Sequence, residues 1–336
     1  MSNENTAVAK PEKARKSPFI SGPLMKQSLK SLLPLWISLT AGSMLIFIVI
    51  NIAVGSKSIF TNIDMDAVTT YVKDENLQWL SILGLLEKMG FNMTRIQIMS
   101  QIDLNSILNE LIYKVTGVLL PMIYVMIASN RLIAAQVSDG SMAYILSTPT
   151  NRKTVVRTQY LFLLASVFAM YLLISAAAIS SEAIAFFINA AKAEEGTSST
   201  YNATTTVLYC VGSFLAMFGL MGICFGASGF FNKSSNSIAV GGGVCVLSFL
   251  CTILGLFGNE VFVAVGVGVK AMEAFNYASL FTLVDTSSMS AFSKATAGLD
   301  AAISFDWIWK LGILLAIGVV FAFLGSRKFV KKDLPL

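Results

Sequence analysis

Six long apolar stretches constrain the fold of this chain more than any other feature of its sequence. A helix needs about 20 consecutive apolar residues to cross the hydrocarbon core of a bilayer, and each stretch is close to or above that length. Hydrophobic residues make up 55% of the chain and charged residues 13%, about half the charged share of an average soluble protein. The sequence therefore predicts an all-α polytopic membrane protein with six transmembrane helices, at about 32–54, 111–133, 160–191, 206–231, 238–258 and 307–324.

Lysine and arginine are unevenly distributed over the segments between these stretches. If the N-terminus is cytoplasmic, the inside segments are 1–31, 131–157, 232–237 and 325–336. They hold 15 of the 24 basic residues but only four of the 19 acidic ones. Basic residues concentrate on the cytoplasmic side of membrane proteins, so both termini are predicted to be cytoplasmic.

The remaining segments divide the chain into a tail and one membrane domain. Residues 1–18 are polar and are predicted to be a disordered cytoplasmic tail, and 19–336 a single domain. Residues 55–110 carry apolar patches and are predicted to form short extracellular helices. The apolar run within 261–284 is too short to span, which favours a re-entrant or interfacial element.

A short segment between the second and third spans is too polar to lie in the membrane. It is predicted to form a cytoplasmic helix over 138–148, capped by the side chain of Ser138 or Asp139 and ended by Pro149. About 15 Å of helix is half of a bilayer core, so it cannot span. Apolar side chains at i, i+3 and i+4 share one face, which we expect a partner protein to cover: Met142, Ile145 and Leu146.

The residues just before the first span also have an amphipathic pattern. Apolar side chains alternate there with two lysines, which is typical of a helix in the membrane interface with its lysines at anionic headgroups. A simple positive anchor at the start of the first span is an open alternative. The residues of this predicted interfacial helix are Leu24, Met25, Lys26, Leu29 and Lys30.

The sequence offers little for enzymatic chemistry. It has no histidine, which removes imidazole from metal binding and acid–base catalysis. Its four cysteines lie in apolar runs without metal-site spacing. Gly55-Ser56-Lys57-Ser58 lacks the glycine spacing of a nucleotide-binding loop. No catalytic, cofactor-binding or metal site is therefore predicted.

Two features inside the spans are candidates for a substrate path or a dimer seam. Glu182 lies well inside an apolar run, and an intramembrane carboxylate is a functional candidate. The alternative is that the third helix leaves the membrane there. Glycines recur along the fourth span at 219, 222 and 226, where they allow close helix approach. The sequence leaves packing within the chain, a dimer seam and a substrate path open for Gly219, Gly222 and Gly226.

The order of these elements resembles the permease subunit of ABC transporters of the ABC-2 type. A basic interfacial helix precedes six spans, and a cytoplasmic segment between spans two and three ends in the turn 146–152, Leu-Ser-Thr-Pro-Thr-Asn-Arg. The chain closes, as this family often does, on an aromatic and basic run at 329–334. The family usually has glutamate near the start of the coupling segment, where this chain has Asp139.

The resemblance implies an exporter permease of a cell membrane, the plasma membrane of a bacterium. The helix at 138–148 would couple it to a separate ABC ATPase, present in two copies, through which ATP and Mg²⁺ act. A second permease subunit, the same or homologous, and the lipid bilayer would be further partners, but no nucleic acid and no cofactor bound by this chain. Arg152 would lie at the headgroups, and the coupling residues would be Ser138, Asp139, Gly140, Met142, Tyr144, Ile145, Leu146, Pro149 and Arg152.

Two other classes of function remain alternatives. A membrane sensor or scaffold could recruit a cytoplasmic partner through the same short helix without transport. A membrane-embedded enzyme is disfavoured, because histidine and paired carboxylates are missing. For an exporter, the scarcity of charge within the spans favours an amphipathic peptide, a drug or a lipid-like cargo.

Overall fold

The predicted fold class is confirmed at the level of architecture. A computed structural model describes residues 19–55, 113, 117–148, 150–192, 203–258, 263, 268–296 and 304–332. This part of the chain is helical without a strand, and six of its helices are long and apolar enough to cross a membrane. The predicted tail 1–18, the extracellular segment up to residue 110 and Pro149 lie outside the described residues.

The helices follow the order of the apolar stretches. The six membrane-length helices are α1, α2, α4, α5, α6 and α8. A short helix, α3, follows α2, and two 3₁₀ helices (Lys270–Ala278 and Phe281–Leu283) precede the short α7. The bounds are α1 Gly22–Gly55, α2 Gly117–Ser138, α3 Ser141–Ser147, α4 Arg152–Lys192, α5 Thr204–Phe230, α6 Ser234–Leu256, α7 Thr286–Thr296 and α8 Asp306–Lys331.

The predicted interfacial helix is not a separate element. One helix of 34 residues, roughly 51 Å long, runs from Gly22 to Gly55 and includes Pro34. The prediction of a separate helix is therefore wrong, because proline within a membrane helix does not have to end it. Leu24 in its first turns is buried, whereas Met25, Lys26, Leu29 and Lys30 are exposed.

Two helix pairs with extensive contacts form the bundle, α1 with α4 and α5 with α8. Helix α2 contacts both pairs. Between α1 and α4, the Trp36 indole donates to the Ser166 carbonyl at 2.9 Å and the Asn51 amide to the Ser181 hydroxyl at 3.0 Å. The Tyr171 hydroxyl of α4 donates to the Gly117 carbonyl of α2 at 2.8 Å. Polar side chains thus fix the helices relative to one another.

Glycines bring α5 and α8 into backbone contact. A β-carbon on Gly222 would overlap the carbonyl oxygen of Gly318, and one on Gly226 would lie 2.8 Å from the Phe321 carbonyl oxygen. Gly219 faces the Leu314 carbonyl in the same way. This contact agrees with the packing alternative for these glycines, because α8 of the same chain occupies the face that they form.

The segment between α6 and α8 packs against these two helices. The Ser279 hydroxyl, which follows the first 3₁₀ helix, donates to the Ser248 carbonyl of α6 at 2.9 Å. Asp285 forms an ion pair with Lys310 of α8. Burial raises the pKa of Asp285, but hydrogen bonds from Lys310 and the following serines outweigh it, so the net pKa lies below its usual range. The described part of 261–284 therefore holds short, non-spanning elements; 259–262 and 264–267 are not described.

Candidate functional site

Hydrogen bonds between helix ends show which ends share one side of the bundle. The Ser28 hydroxyl of α1 donates to the Gln159 side chain near the start of α4 at 2.8 Å. Asn130 near the end of α2 donates to the Ser234 hydroxyl at the start of α6 at 2.8 Å. We call this side the basic end: the starts of α1, α4 and α6, the ends of α2, α5 and α8, and α3.

Helix α2 changes its pitch shortly before it reaches the basic end. Residues Asn130–Ala134 form a π-helical turn between two α-helical parts. Such turns insert one residue into the helix and are often found at functional sites. Here the turn directs the buried Asn130 amide at Ser234 of α6. The sequence predicted the end of this span near 133 and gave no signal for the turn.

A sharp bend at Gly140 separates α2 from α3. Ser138 completes the last turn of α2, and the Asp139 N–H donates to the Ala135 carbonyl at 2.8 Å. Gly140 has φ +73°, a left-handed conformation that glycine adopts without steric cost. The prediction that Ser138 or Asp139 caps α3 is wrong, because both still belong to the end of α2, and Gly140 takes the cap position without a side-chain hydrogen bond.

The apolar stripe of α3 is covered by the chain itself. Met142 is only 1% exposed and belongs to the core, and Ile145 and Leu146 are half-buried against it. Tyr144 is 80% exposed on the other face. The expectation that Met142 faces a partner protein is therefore wrong for this conformation. Helical spacing identified the stripe but could not show that α3 folds back onto its own bundle.

The turn after α3 is fixed by hydrogen bonds to one carbonyl. The Thr148 and Thr150 hydroxyls approach the Ile145 carbonyl at 2.5 and 3.1 Å, and the two hydroxyls lie 2.9 Å apart. Helix α3 ends at Ser147, close to the predicted end at 148. The turn thus leads directly into α4 at Arg152.

Arg152 connects the start of α4 to the ends of two other helices. Its guanidinium donates to the carbonyl of Lys332 at 2.8 Å, and the Lys332 ammonium donates to the carbonyl of Phe231 at 2.9 Å. These carbonyls directly follow α8 and α5, where cations are favoured by the helix dipole. Burial, followed by the nearby charge of Lys328, lowers the pKa of Lys332 to about 8.

Sequence reasoning placed Arg152 at the lipid headgroups and missed this network. The basic run near the C-terminus was noted, but nothing in it indicated that Lys332 would contact Phe231. In the described structure Arg152 is half-buried and contacts the residue that directly follows α8.

Glu182 lies at the opposite end of the bundle, away from the glycines of the α5–α8 contact. It accepts a hydrogen bond from the Thr206 hydroxyl in the first turn of α5. Thirty residues of helix separate it from Arg152, roughly 45 Å, which exceeds the 30 Å of a bilayer core. Helix α4 is therefore longer than one bilayer crossing requires before it reaches Glu182. The structure does not bring this carboxylate together with Gly219, Gly222 or Gly226.

The described residues hold no cluster of three His, Cys, Asp or Glu side chains that could bind a metal ion. The candidate site consists of three features at the basic end: the bend at Gly140, helix α3, and the hydrogen bonds that connect Arg152, Lys332 and Phe231. Comparison of the chain with protein-family models, curated proteins and solved structures finds no match.

Proposed function

We propose that this chain is the membrane-spanning subunit of an ATP-driven exporter of the ABC-2 type, with its basic end in the cytoplasm. Six membrane-length helices and the concentration of basic residues at one end support this orientation. A second copy, or a homologous permease, would complete the substrate path. Two ABC ATPase subunits would supply ATP hydrolysis with Mg²⁺, and the cargo would be an amphipathic peptide, a drug or a lipid-like molecule.

The observation that carries this proposal is the way α3 is held. Its inner face is locked into the core by Met142, while Tyr144 is presented outward at the tip of the basic end. A short helix that is packed on the core and carries an exposed aromatic side chain suits a partner that must push on the bundle. Aromatic side chains are frequent anchors at protein interfaces. The contact face we propose for the ATPase consists of Ser138, Asp139, Gly140, Ser141, Tyr144 and Ser147.

A displacement of α3 would reach the spans through covalent and hydrogen-bonded connections. Through Gly140 it acts on α2, and through the Ile145–Thr150 turn on α4. From α4, the Arg152–Lys332–Phe231 network continues to α8 and α5. Closure of two ATPases would thereby move the start of α4 against the α5–α8 pair.

The test is co-purification with an ABC ATPase encoded next to this chain. We compare the full chain with its Tyr144→Ala variant and with Tyr277→Ala, a control that removes an equally large side chain, 92% exposed, from the segment between α6 and α8. Loss of an anchoring aromatic contact of about 1.4 kcal/mol lowers the affinity for the ATPase about tenfold. We expect that loss in Tyr144→Ala and none in Tyr277→Ala.

Two results would overturn the proposal. Undiminished ATPase binding by Tyr144→Ala would remove α3 as the contact. If the unaltered chain retained no ATPase, the sensor or scaffold alternative would be favoured over transport.

A further inference from the structure

A groove opens between the start of α4 and the end of α8, at the seam between the two helix pairs. Its volume is about 630 Å³. The part of the lining that lies farther from the basic end is apolar and includes Tyr160, Val319 and Phe323. Twelve residues of α8 separate Val319 from Lys331 at its basic end, roughly 18 Å of helix. The groove is therefore about as long as one leaflet of the hydrocarbon core is thick.

Four basic side chains surround the end of this groove. Lys153 and Arg157 come from the first turns of α4, and Arg327 and Lys331 from the last turns of α8. The part of the chain that the structure describes places no acidic residue in the lining and no carboxylate within salt-bridge distance of these four. Their charges are thus not neutralised by the described residues.

Both arginines are oriented by aromatic rings. The guanidinium of Arg157 lies 4.8 Å from the ring centroid of Phe19, and that of Arg327 lies 5.3 Å from the ring centroid of Phe323. Stacking uses the face of a guanidinium and leaves the N–H groups at its edge, which match the geometry of a phosphate. The arginines are therefore held in place for a phosphate at the mouth of the groove.

We propose that this groove binds one anionic phospholipid of the inner leaflet, with its phosphate among the four basic side chains and an acyl chain along Val319 and Phe323. Basic pockets between membrane helices on the cytoplasmic side are suited to anionic headgroups. The inference rests on a cytoplasmic basic end and on the groove, and it does not require an ATPase.

Charge decides between this occupant and a second copy of the chain. A twofold contact through the groove would bring four cations against the same four cations of the partner. Like charges that face each other across an interface are unfavourable, whereas an anionic headgroup neutralises them. The lipid is therefore the occupant that the charges favour.

The test measures lipid binding to the purified full chain by native mass spectrometry. Phosphatidylglycerol and phosphatidylcholine with identical acyl chains are titrated in parallel. Arg157→Gln/Arg327→Gln removes two charges from the groove. The matched control, Arg131→Gln/Lys233→Gln, removes two exposed charges at the same end, one from α2 and one from the turn before α6. Each basic side chain near an anionic surface contributes about 1 kcal/mol to binding, and about 1.4 kcal/mol corresponds to a tenfold change in affinity. Because the arginine variant loses two such side chains, it should bind phosphatidylglycerol about 10- to 30-fold more weakly.

A second pair of variants tests the apolar part without changing charge. Val319→Trp fills the groove, whereas Val320→Trp adds the same bulk to the neighbouring residue, which is equally exposed but outside the lining. We expect lipid binding to fall in Val319→Trp and to persist in Val320→Trp.

Three outcomes would overturn the proposal. Equal binding of the two lipids would show that no anionic site exists. An equal loss in the Arg131→Gln/Lys233→Gln control would show that the attraction is spread over the basic end. Quantitative cross-linking of Val319→Cys between two copies, with no lipid retained, would assign the groove to a dimer interface. None of these measurements involves ATP or an ATPase, so failure here and failure of the proposed exporter function are distinguishable.

Discussion

The guanidinium of Arg152 donates a hydrogen bond of 2.8 Å to the main-chain carbonyl of Lys332. This bond joins the first residue of α4 to the residue that directly follows α8, although 180 positions separate them in the sequence. The carbonyl groups at a helix C-terminus have no partner within the helix, and Arg152 satisfies one of them. The bond therefore connects α4, the helix that follows α3, to α8.

Replacement of Arg152 should loosen this connection. A hydrogen bond to a charged donor contributes about 1.5–3 kcal/mol when buried, and we reduce this to about 1 kcal/mol because Arg152 is partly exposed. We expect Arg152→Ala to lower the free energy of unfolding by that amount in detergent, measured by thermal unfolding. Arg131→Ala, which removes an exposed charge at the same end, is the control and should unfold like the unaltered chain.

Lys332 should make stability depend on alkaline pH. Its pKa is lowered from 10.5 to about 8 in the folded chain, so between these values the unfolded chain binds the proton more strongly. Stability therefore rises as the pH increases from about 8 to 10.5 and is constant below that window as far as this group is concerned.

The measurement is the difference in unfolding temperature between the unaltered chain and Lys332→Gln across that range. Lys331→Gln removes an exposed neighbouring charge and should keep the rise. A rise that persists unchanged in Lys332→Gln would assign the effect to another group.

Met142 and Tyr144 should differ in what they contribute, since one is buried and the other exposed. Met142→Ala leaves a cavity in the core, and we expect a loss of roughly 2–4 kcal/mol in the free energy of unfolding without any partner present. Tyr144→Ala should change it by less than about 0.5 kcal/mol. Thermal unfolding of both variants decides this, and equal stability of the two would place Met142 on the surface instead.

The glycine contact between α5 and α8 should tolerate no added methyl group at its centre. Gly222→Ala gains about 1 kcal/mol in helix propensity but must separate two backbones, and overpacking typically costs about 1–3 kcal/mol. We expect net destabilisation in thermal unfolding. Gly312→Ala on α8 is the matched control, because a β-carbon there meets nothing within 4 Å, and it should be neutral or stabilising.

The sequence predicted the spans because burial in lipid requires apolar side chains over the whole length of a helix. It predicted their ends less well. The first helix begins at Gly22 rather than near 32, and the second continues to Ser138 through a π-helical turn. These ends depend on contacts such as that of Ser28 with Gln159, which local composition does not encode.

The candidate site was predicted in position but not in orientation. Periodicity placed Met142, Ile145 and Leu146 on one face of a short helix, which is confirmed because Met142 is buried and the other two are half-buried against the core. Whether the chain's own core or a partner protein covers that face depends on the bend at Gly140. A single glycine in a sequence does not predict a left-handed residue. The hydrogen bonds from Arg152 to Lys332 and from Lys332 to Phe231 could not be predicted from the sequence either, because they join residues from three distant parts of the chain.

The contact between Gly222 and Gly318 can form only after both helices have been synthesised. Helix α5 is synthesised before α6 and the segment that follows it, so its glycine face is uncovered until α8 has been synthesised. Only when α8 is inserted can the two backbones meet. Helix α8 therefore covers the glycine face of α5, and a chain that stopped before Asp306 would leave that face uncovered.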